Sequence, residues 1–138
     1  MPENKPNSIL VVDDEPEIRK LVAAMLARSG YRVLIADSGE NAIRLFKMNP
    51  EIDLLLTDVV ATGMSGPIIA DEIATLKPEI KVLFMSGYDS TQVVQRYVVE
   101  KGYSLLVKPF TMEQLGSKVK AVLGGQGAIS RSSDATGL

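Results

Sequence analysis

Leu54-Leu55-Leu56 leads through Thr57 into a carboxylate, Asp58, as one unbroken stretch of strand length. A strand with one wet face alternates apolar and polar residues, whereas a strand covered on both faces reads as a continuous apolar run. This stretch is of the second kind, so the chain must supply helices to both sides of a sheet. In an open α/β sheet, ligands bind in the crevice beyond the carboxyl ends of the strands. Asp58 stands at such an end. A lone acid there can be an ordinary polar strand terminus, so the other strand ends decide its meaning.

Four more runs have the same character. Ile9-Leu10-Val11-Val12 is followed at once by Asp13-Asp14-Glu15; Val33–Ala36 is a second strand, and the third takes in Asp53–Thr57. Lys81–Met85 ends on Ser86-Gly87, and Ser104–Val107 runs into Lys108-Pro109. The intervening segments carry helical spacing. Pro16 suits a first helical position, Ile18, Leu21, Val22, Met25 and Leu26 recur on one face, and Ser29-Gly30 is a stop. A second helix opens at Asp37-Ser38-Gly39 with Ala42, Ile43, Leu45 and Phe46 as apolar members. After a loop spanning Asp58–Gly66, Pro67 opens a third with Ile68, Ile69, Ile73 and Leu76. A fourth is expected from about Ser90 to Lys101. Thr111-Met112-Glu113-Gln114 has the form of a capping box and starts the last helix, with Leu115, Val119 and Val122 inward.

Alternating strand and helix units imply a parallel five-stranded sheet with right-handed crossovers, an α/β architecture of (βα)5 type. The expected arrangement is doubly wound and flavodoxin-like, with strand order 2-1-3-4-5. That order sets strands 1 and 3 side by side and brings Asp13-Asp14 against Asp58. Ser86 and Lys108 then face the same crevice from strands 4 and 5. A chain of 138 residues is one domain by default. Residues 1–8 read as a lead-in, 9–123 as the folded unit, and the Gly- and Ser-rich 124–138 as a flexible C-terminal tail. The net charge of −2 argues against a nucleic-acid surface. With no cysteine and no histidine, the chain has no thiolate, imidazole base or phosphohistidine of its own. No apolar run approaches the ~18 residues of a membrane span, and a cytoplasmic setting is expected.

Three carboxylates crowded together repel unless a cation joins them. A hard divalent ion with oxygen ligands answers this, and Mg²⁺ takes one or two carboxylates, keeps waters and gains phosphate oxygens. Asp58 would then be a carboxylate nucleophile able to form an acyl phosphate. Lys108 offers a point charge to a phosphoryl group, and Ser86 offers a hydroxyl donor.

Val11-Val12-Asp13-Asp14-Glu15, Leu56-Thr57-Asp58-Val59-Val60, Gly63-Met64-Ser65-Gly66, Met85-Ser86-Gly87 and Lys108-Pro109-Phe110 together resemble the receiver domain of two-component response regulators. The resemblance runs from Ile9 to about Leu123. It implies Asp58 as phosphoacceptor, Asp13 and Asp14 as Mg²⁺ carboxylates and Val60 as the source of a backbone carbonyl ligand. Ser86 would be the switch hydroxyl and Lys108 the phosphate-contacting amine, with a cis Lys108–Pro109 peptide. The phosphoryl donor would be a phosphohistidine on a histidine kinase or histidine phosphotransfer protein. The signal would leave through the surface of helix 4, strand 5 and helix 5. Met85-Ser86-Gly87-Tyr88 has the style of hybrid-kinase receivers in particular.

Two positions depart from the family pattern. Leu105 stands where an aromatic switch residue is usual, with Tyr103 two residues before it. Ala61-Thr62-Gly63 replaces the usual Met-Pro-Gly. Two other functions compete. An aspartyl-phosphate hydrolase of the haloacid dehalogenase type needs a second acid two residues after the nucleophile, and Val60 occupies that place. A scaffold that binds a partner without phosphorylation has no use for intact Asp13, Asp14, Asp58 and Lys108.

Overall fold

The computed structural model describes residues 6–61, 63–87, 96 and 98–125. In chain order the elements are β1 (Ser8–Val12), α1 (Pro16–Arg28), β2 (Arg32–Ala36), α2 (Gly39–Met48), β3 (Leu54–Asp58), β4 (Val60–Ala61), β5 (Met64–Ser65), α3 (Gly66–Leu76), β6 (Lys81–Ser86), β7 (Ser104–Val107) and α4 (Met112–Leu123). Five of the strands form one parallel sheet in the order β2-β1-β3-β6-β7. With β6 and β7 as the fourth and fifth sheet strands, this is the expected 2-1-3-4-5 order.

The apolar runs of β1, β3 and β6 are buried on both faces for the reason their pattern gave, whereas the edge strands β2 and β7 leave Ile35 and Val107 exposed. Leu10, Val12, Leu55, Val82 and Phe84 point to one side, where α2 and α3 bring Ala42, Phe46, Ile69 and Ile73. Ile9, Val11, Leu54, Leu56, Leu83 and Met85 point to the other, against Val22 and Leu26 of α1 and Leu115, Val119 and Val122 of α4. Burying a side chain of this size contributes roughly 1.5–3 kcal/mol, so the two layers hold the sheet's carboxyl edge in a fixed plane. The helix starts are as read: Ser38 accepts the Asn41 N–H, and Thr111 and Gln114 form the reciprocal capping box at 3.0 and 2.9 Å. Gly30, with φ 96°, takes the left-handed position that ends α1.

Three local readings change. The third strand runs Leu54–Asp58 rather than Asp53–Thr57, although the Asp53 backbone still bonds Ser8 and Lys81 and its carboxylate accepts the Ser8 N–H at 2.9 Å. The segment expected as a loop from Asp58 to Gly66 contains a small antiparallel hairpin, β4 with β5, turning at Gly63 with φ 78°. Of the four apolar residues assigned to α3, only Ile69 and Ile73 are buried; Ile68 and Leu76 are about half exposed. The expected fourth helix lies largely outside the described residues, within which Arg96 and residues 98–100 are helical. The expected tail beyond residue 125 lies outside them as well.

Tyr103 and Leu105 pack against the same core cluster, on the α2–α3 side of the sheet. The Tyr103 ring stands edge-on to Phe84, with centroids 5.1 Å apart and an interplanar angle of 82°. An aromatic side chain therefore does occupy this face of the seam between β6 and β7, two residues from its usual position. No helix among the described residues is long and apolar enough to cross a membrane.

Candidate phosphoacceptor site

The carboxyl edge of the sheet gathers charge from strands far apart in sequence. β1 and β3 pair in register from Ile9 with Leu54 to Val12 with Thr57, so Asp13 and Asp58 leave adjacent strands at the same level. Across β6, the Ser86 carbonyl accepts the Lys108 N–H at 2.7 Å, fixing the residue that follows β7. The Lys108 side chain then reaches back over the edge. Its Nζ lies 2.7 Å from Asp58 Oδ2, 2.9 Å from Asp13 Oδ2 and 3.5 Å from Glu15 Oε1. The Lys108–Pro109 peptide is cis, as the sequence implied.

Both acids are held by backbone as well. The second Asp58 oxygen, Oδ1, accepts the Val60 N–H at 2.9 Å. Asp13 Oδ1 accepts the Glu15 N–H at 2.9 Å, and the Asp13 carbonyl accepts from the Arg19 guanidinium at 2.7 Å. The Asp13 side chain is fully buried, whereas Asp58 keeps 12% of its side chain open. Burial pushes the Asp58 carboxyl up from the ordinary carboxylate range and the Asp13 charge adds to this; the hydrogen bonds from Lys108 and Val60 oppose the rise without cancelling it. For Lys108, burial works against the charge, but the hydrogen bonds to Asp58 and Asp13 outweigh it and hold the proton above the usual lysine range. One ammonium shared between two carboxylates leaves a net negative charge at the strand ends.

This arrangement lies at the mouth of a cavity of about 560 Å³, whose walls include Asp14, Glu15, Asp58, Val60 and Lys108. The structure thus brings together Asp13, Asp58 and Lys108, and sets Asp14 and Val60 around the same opening. Ser86 is buried at the end of β6 and joins the group through its carbonyl. Residues 9–120 match the family model for the response regulator receiver domain.

The chain belongs to the response regulator receiver domain family.

Among curated relatives of this receiver, the sensor kinase CckA of Brucella abortus is 32% identical over 120 residues, which cover 86% of this chain and 13% of that protein. The response regulator receiver protein CpdR of the same organism is 27% identical over 83% of this chain and 95% of its own. The crystal structure of the receiver domain from the hybrid histidine kinase CckA superposes with a TM-score of 0.72 at 33% identity, covering 85% of this chain and 99% of that one. The chain therefore spans a small part of the first of these relatives and nearly all of the second. Receivers are switches rather than turnover enzymes.

Three contributors at this receiver's site were not singled out from the sequence. Glu15 adds a distant third carboxylate to Lys108, which the acidic run Asp13-Asp14-Glu15 could have suggested. Arg19 braces the Asp13 carbonyl, and nothing in its helical position signals this. Gly66 is the third. It sits against the end of β3, its N–H donated to the Val59 carbonyl at 2.7 Å. A Cβ there would fall on the Asp58 carbonyl oxygen and within 3.0 Å of the Phe84 ring and Val59 Cα. Two of those neighbours are backbone and cannot move aside. Gly66→Ala is therefore expected to destabilise the fold by about 2 kcal/mol or more, read as a lower urea midpoint. A midpoint equal to the parent's would show that the hairpin and β3 are free to separate.

A divalent metal fits the donor set. Among the described residues no three acidic groups converge into a ready-made cage. Mg²⁺ does not require one, since it is held by one or two carboxylates with waters making up the octahedron. Asp14 and Asp58 line the opening, and the buried Asp13 shares the Lys108 ammonium with Asp58, all hard oxygen donors.

Proposed function

We propose that this chain is the phosphoacceptor receiver of a two-component phosphorelay, with Asp58 as the acceptor. The observation that carries the reading is the shared ammonium of Lys108. A partly open carboxylate at a strand end, with its burial only partly compensated, is a group poised to exchange one electrostatic partner for another. In the transfer, a carboxylate oxygen of Asp58 attacks phosphorus, the P–N bond of a phosphohistidine breaks, and the nitrogen lone pair returns to the imidazole. The donor is a histidine kinase or a histidine phosphotransfer protein, with its phosphohistidine on another protein or a separate domain, since these 138 residues contain no histidine.

Asp13, Asp14, Asp58 and the Val60 carbonyl are the groups we assign to Mg²⁺. When bound, the metal would offset the charge on the phosphoryl oxygens. Lys108 meets the same charge from the side of β7, and the Ser86 hydroxyl donates to it from β6. These two residues couple the site to the surface formed by the helix around residues 98–100, β7 and α4, which we assign as the output face. The switching unit is residues 9–123, with 124–138 as its tail, and the cytoplasm is where this reading sets it to work. The likeness to CckA favours a hybrid-kinase setting.

Exposure to acetyl phosphate with Mg²⁺ is expected to raise the intact mass by one phosphoryl group, and chelation of the metal to prevent the gain. A mass unchanged with both present would leave the scaffold reading in its place.

A further inference from the structure

The face of α2 and α3 turned away from the sheet has features that the phosphoacceptor site does not use. A groove of about 560 Å³ runs between the two helices, walled by Ile43 and Lys47 from α2 and by Ile68, Asp71, Glu72 and Leu76 from α3. Ile68 and Leu76 expose 50% and 51% of their surface, and they sit eight positions apart on one stripe of α3, with Glu72 between them. Two half-exposed aliphatic side chains flanking a groove form a patch that a monomer gains nothing by showing to water. The charges beside it are also unspent. Lys47, Asp71 and Glu72 are exposed, and among the described residues none of the three is ion-paired.

We propose that this groove is a self-association surface, occupied by the α2–α3 face of a second copy of this chain. The distribution of charge selects the occupant. The basic group lies on one helix and both acidic groups on the other, so the face is complementary to itself. α2 and α3 run in the same direction, each crossing back from the carboxyl edge of the sheet. A two-fold axis parallel to the helices lays α2 of one copy on α3 of the other, as an isologous interface requires. Lys47 lies eight residues into α2, and Asp71 and Glu72 lie five and six into α3. All three line the same groove, so the opposite charges meet within about two helical turns along the axis. A two-fold axis across the helices would instead set α3 on α3 and stack the carboxylates of the two copies. Like charges placed opposite one another exclude that alternative. Ile68 and Leu76 of each copy then cover the partner's groove beside Ile43.

Sedimentation equilibrium of the intact chain tests this, using the variant Lys47→Glu and the double variant Asp71→Lys/Glu72→Lys. All three substitutions are at exposed positions, and circular dichroism checks that the variants fold. The parent is expected to form dimers reversibly. Each variant alone faces repulsion at both copies of the contact, so its association should weaken about tenfold or more. An equimolar mixture should restore it, because the glutamate introduced into α2 of one variant then meets the paired lysines introduced into α3 of the other, while the remaining native contact is kept. A parent that stays monomeric at about 1 mM gives the groove to a different protein and overturns the proposal. Dimerisation that ignores the charge reversals overturns it too, as does a mixture that associates no better than its components.

Discussion

Asp58→Asn is expected to take up no phosphoryl group from acetyl phosphate and Mg²⁺, and to be more stable than the parent at pH 7. The first effect follows from the loss of the nucleophile, since an amide oxygen does not form the acyl phosphate. Asp13 cannot substitute: its side chain is fully buried, with one oxygen on the Glu15 N–H and the other on Lys108. The second effect follows from the sign of the Asp58 shift. A carboxyl whose pKa is raised on folding favours the folded state when protonated. Its contribution is fully present below the unfolded value near 3.8 and is lost as pH rises through the higher folded value. At pH 7 the ionised group is therefore a net cost, which asparagine of the same shape removes. The gain in urea midpoint should shrink on acidification and vanish below about pH 4. A labelled Asn variant would move the acceptor elsewhere, and one destabilised at pH 7 would show that Lys108 more than offsets the burial of Asp58.

Lys108→Ala should act in the opposite direction. It leaves two carboxylates at the strand ends with no cation, and removing one partner from a buried pair costs on the order of 3 kcal/mol. Glu15 contributes little, because 65% of its side chain is in water. The lysine pKa is raised on folding, so its stabilisation is fully present below the ordinary value of 10.5 and fades as pH climbs through the folded one. The deficit of the variant should thus be constant across neutral pH and close only in alkali, or in acid as the carboxylates take up protons. Mg²⁺ should restore much of it, and stabilise the variant more than the parent, because the metal then enters a site with no resident cation. A variant within about 1 kcal/mol of the parent, or one indifferent to Mg²⁺, would show that the acidic edge is neutralised by some other means.

Much of this is legible in the sequence. The runs of β1, β3 and β6 are apolar because both faces are covered, while the edge strands β2 and β7 leave Ile35 and Val107 exposed; Asp13, Asp58 and Lys108 followed from where the runs stop. The capping box at Thr111 was legible for a similar reason: its chemistry is local. What escaped was short or non-local. A hairpin of two-residue strands has too few positions to show a period, so Val60–Ala61 and Met64–Ser65 read as loop. The close approach of Gly66 to β3 is a tertiary contact that no neighbouring residue encodes. Periodicity put Ile68 and Leu76 on the apolar side of α3, yet a stripe wider than the core can cover leaves its margins in solvent. The aromatic contact of Tyr103 with Phe84 could be posed only as a question of strand regularity.

The span of the Lys108 contacts has a consequence for how the molecule comes into being. The ammonium is 50 residues along the chain from Asp58 and 95 from Asp13. During synthesis from the amino terminus, β1 and β3 can pair as soon as they emerge, bringing their acids together before the ammonium that both contact, with Arg19 on the Asp13 carbonyl. The Lys108 ammonium reaches that edge only with the final strand–helix unit. A nascent chain halted before residue 108 carries an acidic edge without its neutralising amine. In it, free Mg²⁺ would be an available counter-ion, so the metal we assign to the finished site would serve earlier as an aid to assembly.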